Sequence, residues 1–206
     1  MPPVLIVGTG RCGSMSVARY LDRQETLAGR EIRACHETDG LDVVTAVANG
    51  NVRVAERLCA SWTHEVESAP YLGWGWRPAG ARVLRLVRDG RKVVASGMAR
   101  DWYRWKNVWT RAKPQFEGDL FEKCCKFWTH MAEQGADYRL EDLVADEATQ
   151  CRLHADLGLK YCRRPFPSSN EGSGILPFAD WQLDHYNKFR AICGEQMDRL
   201  YPGWRD

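Results

Sequence analysis

The chain has 206 residues, of which 44% are hydrophobic and 27% are charged, and its formal net charge is +2. This composition is that of a folded globular protein and excludes a disordered chain. The near-neutral net charge gives no indication that the chain binds nucleic acid or a membrane surface. No apolar run approaches the ~20 residues that span a bilayer. We expect one domain over residues 1–206, and the absence of a basic leader with a cleavage site favours a cytoplasmic protein.

An apolar strand opens the chain and runs into a glycine-rich turn and a helix. Val4 to Val7 predict the strand, Gly8 and Gly13 bracket the turn, and the helical pattern reaches Leu21. A phosphate-binding NTPase loop has the same glycine spacing but places Lys and then Ser or Thr after the second glycine. No lysine follows Gly13 here, so the loop differs from a Walker sequence at its defining cation.

The turn nevertheless has the features of an anion site. Its glycines allow a close approach to the backbone, and successive N–H groups at the start of a helix point to one place. Arg11 adds a permanent charge within the loop, and Ser14 and Ser16 add hydroxyl donors. The alternative is a tight strand-to-helix connection that binds nothing, and the loop alone does not decide between the two.

The rest of the chain alternates between strands and helices. Glu31 to His36 predict a second strand and Leu41 to Ala48 a helix, whereas residues 53–62 fit either. Residues 81–89 are apolar on both faces, as in a central parallel strand, and a helix follows Gly90.

The later segments continue this alternation. Residues 120–131 predict a helix, residues 136–144 a strand that leads into a helix, and residues 165–178 a loop. A final amphipathic helix ends before Pro202. The whole pattern predicts an α/β fold, a three-layer sandwich around a mostly parallel central sheet.

A second candidate site lies at the end of the strand at residues 81–89. Arg88 ends this strand, and Ser96 follows eight residues later, about two helical turns along. Side chains at the carboxyl edge of a parallel sheet face the ligand crevice, and an Arg fork with a hydroxyl can hold a phosphate. The alternative is that Arg88 only pairs with Asp89 or caps a helix.

Three segments, in this order, resemble the sulfotransferase family that uses 3′-phosphoadenosine-5′-phosphosulfate (PAPS). VGTGRCGS is similar to the family's 5′-phosphosulfate loop, and LVRDGRKVVAS is similar to its 3′-phosphate motif. Residues 138–159 resemble the R-Y-E-D-L segment, which a short helix and a Leu-Gly-Leu follow. The resemblance covers Val4 to Leu159 and implies the P-loop NTPase-like sulfotransferase fold.

The resemblance also implies a donor site. The residues implied for donor binding are Arg11, Cys12, Gly13, Ser14, Met15, Ser16, Arg88 and Ser96. Arg11 is implied as catalytic too, because positive charge is needed where the 5′-phosphate leaves. No metal is implied, since the donor has no magnesium-bridged triphosphate. The acceptor is a hydroxyl or amine of a small molecule or glycan, and its identity and the oligomeric state stay open.

The acceptor must lose a proton, so a base is needed near the transferred group. The best candidates are His36 and Glu37, at the predicted end of the second strand, where many sulfotransferases carry a catalytic His or Glu. Neighbouring strand residues point to opposite faces, so we expect only one of them to face the donor. Glu37 is slightly preferred, because related small members of the family use a glutamate.

The sequence departs from the family pattern at three positions. Gly90 replaces the usual proline and is expected to loosen the turn after Arg88. Leu140 replaces a common aromatic residue, which we interpret as a packing change. Arg11 stands where many cytosolic members carry lysine, although bacterial-type members often have arginine there.

Other segments carry two interpretations each. Glu56 and His64 fit an acceptor pocket or ordinary surface and core, and residues 102–109 fit an aromatic acceptor wall or a packing helix. Residues 168–174 fit a loop that closes over the donor, or a plain connector. Basic residues precede this loop at Lys160, Arg163 and Arg164.

Two other functions compete with the sulfotransferase. A P-loop kinase or NTPase with a degenerate Walker sequence needs an acidic magnesium ligand at a strand end, for which Asp89 is the obvious candidate. A non-catalytic nucleotide-binding relative would keep Arg88 and Ser96 and lack the base.

Overall fold

The computed structural model describes residues 3–103, 107–167 and 181–205. Its centre is a sheet with the strands Val4–Gly8 (β1), Ala34–His36 (β2), Val66–Ser68 (β3), Val83–Val87 (β4) and Tyr138–Arg139 (β5). Every strand pair of this sheet is parallel, and the order is β2-β3-β1-β4-β5. The predicted α/β class and parallel sheet are therefore confirmed.

Helices surround the sheet. They are Ser14–Leu21 (α1), Gly40–Ala48 (α2), Val52–Ala60 (α3), Gly90–Ala99 (α4), Val108–Ala112 (α5), Leu120–Glu133 (α6), Leu140–Ala145 (α7), Glu147–Leu157 (α8) and Leu183–Leu200 (α9). A 3₁₀ turn, Pro70–Gly73, follows β3. Residues 53–62, whose sequence fits either a strand or a helix, are mostly helical and belong to α3. No helix within the described residues is long and apolar enough to cross a bilayer.

The side chains of β1 alternate between two cores. Ile6 belongs to a cluster with residues of α1, α7 and α8, whereas Leu5 and Val7 belong to a cluster with residues of α2, α3 and α6. Successive strand residues point to opposite faces, so a strand with apolar residues on both sides needs helices on both sides. This arrangement is consistent with a three-layer α/β fold. Another core joins α4, α6 and α9, with Trp128 and Phe189 fully buried.

Strand β3 was not predicted from the sequence. This strand is only three residues long, and its central residue, Glu67, belongs to a type that is depleted in strands. Val66 pairs with Val4 of β1 on one side and with Ala34 of β2 on the other. The strand is therefore held by pairing on both edges rather than by a local hydrophobic pattern.

The sheet order places a crevice at the end of β1. β3 lies on one side of β1 and β4 on the other, so the chain crosses from one half of the sheet to the other after β3. In open α/β sheets, ligands bind outside the carboxyl ends of the strands at such a switch point. In this chain the loop after Gly8 and the end of β4 at Arg88 meet there.

Gly90 begins α4, at the position where the sulfotransferase pattern that the sequence resembles has proline. A Cβ added at Gly90 would lie 2.8 Å from Cε2 of Trp128, too close for two non-bonded carbon atoms. Trp128 is fully buried, and its Nε1–H donates a hydrogen bond to the Arg88 carbonyl oxygen at 3.0 Å. The indole fills the space that a larger residue would need, so packing holds this turn in place of a proline ring.

Gly90→Ala is expected to destabilise the protein by about 1–3 kcal/mol, because the new methyl group must displace a buried indole. Urea unfolding measures the change. Gly75→Ala is the matched control, since a Cβ at Gly75 meets no atom within 4 Å. A Gly90→Ala variant as stable as the Gly75→Ala control would show that Trp128 does not restrict this position.

Candidate functional site

A cavity of about 840 Å³ lies at the carboxyl edge of the sheet. This volume is within the roughly 300–1,000 Å³ that is usual for ligand pockets. Five cationic side chains of the described residues line it, against three carboxylates; these are Arg11, Arg88, Lys92, Arg100 and Lys113, and Glu37, Asp101 and Glu141. The charge balance therefore favours an anionic ligand.

The loop between β1 and α1 presents its backbone to this cavity. Gly8 has no room for a side chain, since an added Cβ would lie 2.4 Å from the Leu86 carbonyl oxygen. Gly13 has a left-handed φ of 89°, and an added Cβ would lie 2.5 Å from Cδ1 of Leu140. Helix α1 then begins at Ser14 with no side-chain cap. The helix therefore offers its first N–H groups and the positive end of its dipole to the cavity.

Arg11 lies within the loop with a left-handed φ of 56°, which is uncommon for a residue other than glycine. Its Nε donates a hydrogen bond to Oγ of Ser96 at 3.0 Å. Burial, and then the charges of Arg100 and Arg88, lower the pKa of Arg11 below its usual value. Like charges that are gathered this way repel each other, and a bound anion would relieve the repulsion.

Arg88 reaches the same loop from the end of β4. Its Nη1 donates to the Arg11 carbonyl oxygen at 3.1 Å, while its Nε is buried without a hydrogen-bond partner in the described residues. Asp89 does not pair with Arg88 but with Arg91, at 2.6 Å, and accepts the Arg91 backbone N–H at the start of α4. The simple Arg88–Asp89 pair is therefore wrong. A buried N–H without an acceptor is costly, and a phosphate oxygen would satisfy it.

The two candidate bases both line the cavity. His36 Nε2 lies 3.0 Å from Oγ of Ser14, and this hydrogen bond joins β2 to the start of α1. Glu37 lines the same cavity, so strand alternation does not separate the two side chains. The reason is that β2 ends at His36 and Glu37 has a left-handed φ of 53°, so the alternation of a strand no longer applies.

The environments of the two groups differ. Burial lowers the pKa of His36, and its Nε2 lies 3.0 Å from Oγ of Ser14. Burial, and then the charge of Glu67, raise the pKa of Glu37, while Arg11 and Lys113 oppose the rise. A cavity-lining carboxyl group with a raised pKa is suited to accept a proton. Both side chains line the cavity, and His36 also contacts the start of α1 through Ser14.

A buried acid supports the turn that carries Glu37. Glu67 is 0% exposed, and its Oε1 accepts the Thr38 backbone N–H at 3.1 Å. Its Oε2 lies 2.7 Å from Nε2 of His64, which is also buried. His64 does not line the cavity, so of its two interpretations the core residue is the one that fits. A single glutamate in an unrecognised three-residue strand offers no sequence pattern by which Glu67 could be found.

The remaining candidates divide into those that line the cavity and those that do not. Gly13, Ser14, Met15 and Ser16 line it together with Arg11 and Arg88. Cys12 does not, because its side chain is fully buried and burial raises the pKa of its thiol to about 11. Ser96 also does not line the cavity but holds Arg11. Glu56 lies on α3 beside Arg53 and Arg57, away from this cavity.

The described tryptophans of residues 102–109 lie both at the cavity and in the core. Trp102 and Trp109 line the cavity, and Trp102 also packs edge-to-face on Phe127 with ring centroids 5.6 Å apart. Trp74 and Lys113 join this wall without having been predicted, because they come from two other segments of the chain. The predictions for residues 168–174 lie outside the described residues, as do Arg104 and Lys106.

Comparison of the chain with protein-family models, with curated proteins and with solved structures found no match.

Glu67→Gln is expected to destabilise the fold by about 1–3 kcal/mol, because it changes a buried oxygen atom that lies 2.7 Å from Nε2 of His64. Urea unfolding of Glu67→Gln, His64→Ala and the double variant should give a coupling energy above about 0.5 kcal/mol. Glu133→Gln, at an exposed position on α6, is the control and should change stability by less than about 0.5 kcal/mol. Additive effects of the two buried substitutions would show that Glu67 and His64 do not support each other.

Proposed function

We propose that the protein is a PAPS-dependent sulfotransferase that transfers a sulfuryl group to a hydroxyl or amine of a small molecule or glycan. The observation that carries the proposal is the convergence of the α1 N-terminus, Arg11, Arg88 and Glu37 on one cavity. All three sequence segments that resemble the family contribute to it, the third through Glu141 and its neighbours.

The lining residues fit the chemistry of this donor. The buried Nε of Arg88 lacks an acceptor, and the uncapped start of α1 offers further N–H donors, so the cavity can take more than one phosphate. Leu140, Val144 and Phe166 give the same cavity an apolar side that suits an adenine ring. The donor itself supplies an activated sulfuryl group on its 5′-phosphate.

The residues of the chain then supply charge and a base. Arg11 and the α1 N–H groups stabilise the negative charge that builds up on the departing phosphate, and losing one such donor costs ~3–4 kcal/mol of the barrier. Glu37 accepts the acceptor's proton as the new oxygen–sulfur or nitrogen–sulfur bond forms and the bond from sulfur to the phosphate oxygen breaks. His36 holds the Ser14 hydroxyl in place at 3.0 Å.

The competing functions have less support from the site. In a degenerate kinase, Asp89 is needed as a magnesium ligand, but it pairs with Arg91 and does not line the cavity. In a non-catalytic relative the base is lost, yet a carboxyl group with a raised pKa lies in the cavity at Glu37.

The donor site is tested by calorimetric titration with 3′-phosphoadenosine-5′-phosphate, the desulfated donor, without metal. Micromolar binding is expected, and Arg88→Ala should weaken it at least ~10-fold because charged hydrogen bonds to phosphate are lost. Arg85→Ala, on the same strand but outside the cavity, is the matched control. Tighter binding of magnesium-ATP than of the bisphosphate would overturn the sulfotransferase in favour of the kinase.

The base is tested by pH profiles of sulfuryl transfer. Because burial raises the pKa of Glu37, activity should fall on the acidic side with a midpoint above the 4.5 of an ordinary glutamate. Glu37→Gln should lower the rate ~10²–10⁴-fold and remove this limb. Glu67→Gln should move the midpoint to lower pH, since the charge of Glu67 raises the pKa of Glu37. An unchanged profile in Glu37→Gln would exclude Glu37 and direct attention to His36.

A further inference from the structure

One wall of the cavity is aromatic and contains a buried cation. Trp74, Trp102 and Trp109 line the cavity, and Lys113 lies among them with only 7% of its surface exposed. The Lys113 Nζ is 4.6 Å from the centroid of the Trp74 ring and 5.7 Å from that of Trp102. None of these residues belongs to the segments that resemble the family's donor motifs.

The charge of Lys113 is incompletely satisfied by the protein. Its Nζ donates to the Trp109 carbonyl oxygen at 3.3 Å, and within the described ranges it forms no ion pair with a carboxylate. An ammonium group has three donors, so two have no hydrogen-bond partner in these residues. Burial lowers the pKa of Lys113 to about 8, which leaves the group mostly protonated at neutral pH.

Packing alone does not account for a lysine at this position. The aromatic rings offset part of the cost of burying the ammonium group, but a methionine would fill the same space without any such cost. Trp109 and Trp74 pack edge-to-face with centroids 6.4 Å apart, and Trp74 is fixed by a hydrogen bond from its Nε1 to the Gly8 carbonyl oxygen at 3.0 Å. A buried cation in an aromatic wall held in this way has the chemistry to bind an aromatic anion.

We infer that Lys113 and the wall of Trp74, Trp102 and Trp109 form an acceptor subsite for an aromatic compound that carries a carboxylate. The indole rings pack against the aromatic ring of the acceptor, and the free N–H donors of Lys113 bind its carboxylate. The acceptor's hydroxyl is then left for Glu37. A compound with an ammonium group in place of the carboxylate is repelled by Lys113. The term acceptor rests on the proposed function, whereas the preference for an aromatic anion does not.

The test uses three phenols of the same length that differ in the charge of one end: 4-hydroxyphenylacetate, 4-hydroxyphenylethanol and tyramine. Tryptophan fluorescence follows their binding to the full chain at pH 7, with and without the desulfated donor. The anion is expected to bind about 10- to 100-fold more tightly than the neutral compound, and the cation more weakly than both.

Variants assign this preference to one residue. In Lys113→Met, the dissociation constants of the anion and the neutral compound should lie within about 2-fold of each other. Lys113→Arg should keep the preference for the anion. Lys160→Met, which removes an exposed lysine outside the cavity, should change nothing. A charge preference that survives in Lys113→Met would overturn the inference, as would failure of the wild-type chain to bind the anion.

The two proposals fail in different ways. A chain that binds the desulfated donor but not the aromatic anion keeps the donor site and loses the acceptor subsite. A chain that binds the aromatic anion through Lys113 but not the desulfated donor keeps the subsite and loses the sulfotransferase. The same phenols also report turnover, since each carries a hydroxyl that can be sulfated.

Discussion

The hydrogen bond from Arg88 to the Arg11 carbonyl oxygen is the contact on which the site depends. It ties the end of β4 to the loop after β1, and the parallel pairing of these two strands brings the two arginines together. The loop passes close to β4, where the Leu86 carbonyl oxygen leaves no room for a side chain at Gly8. Arg11 has a left-handed backbone conformation within this loop. The strained backbone of Arg11 thus accompanies the close approach of two positively charged side chains, Arg11 and Arg88.

Two glutamates near this charge differ in burial. Glu67 is fully buried and contacts His64 and the Thr38 backbone N–H, so it supports the turn after β2, while Glu37 lines the cavity. The charge of Glu67 raises the pKa of Glu37, and the cations of the cavity oppose the rise.

Much of the cationic side of the cavity was predictable because it is local in the chain. Glycines of a turn, a helix start and an arginine at a strand end leave patterns within about ten residues, and Arg11, Ser14 and Arg88 were identified in this way. The aromatic wall was only half predictable, since Lys113 and Trp74 meet only after folding. β3 could not be predicted, because three residues with a central glutamate show no alternating hydrophobic pattern.

The sequence by itself therefore determined the α/β class and the parallel central strands, because these follow from hydrophobic pattern over short segments. Only the tertiary structure decided that Asp89 pairs with Arg91 rather than Arg88, that His36 and Glu37 share one cavity, and that Lys113 is buried among tryptophans. These facts depend on turns with left-handed residues and on contacts between distant segments. Side-chain direction at such positions is set by packing, which no local periodicity encodes.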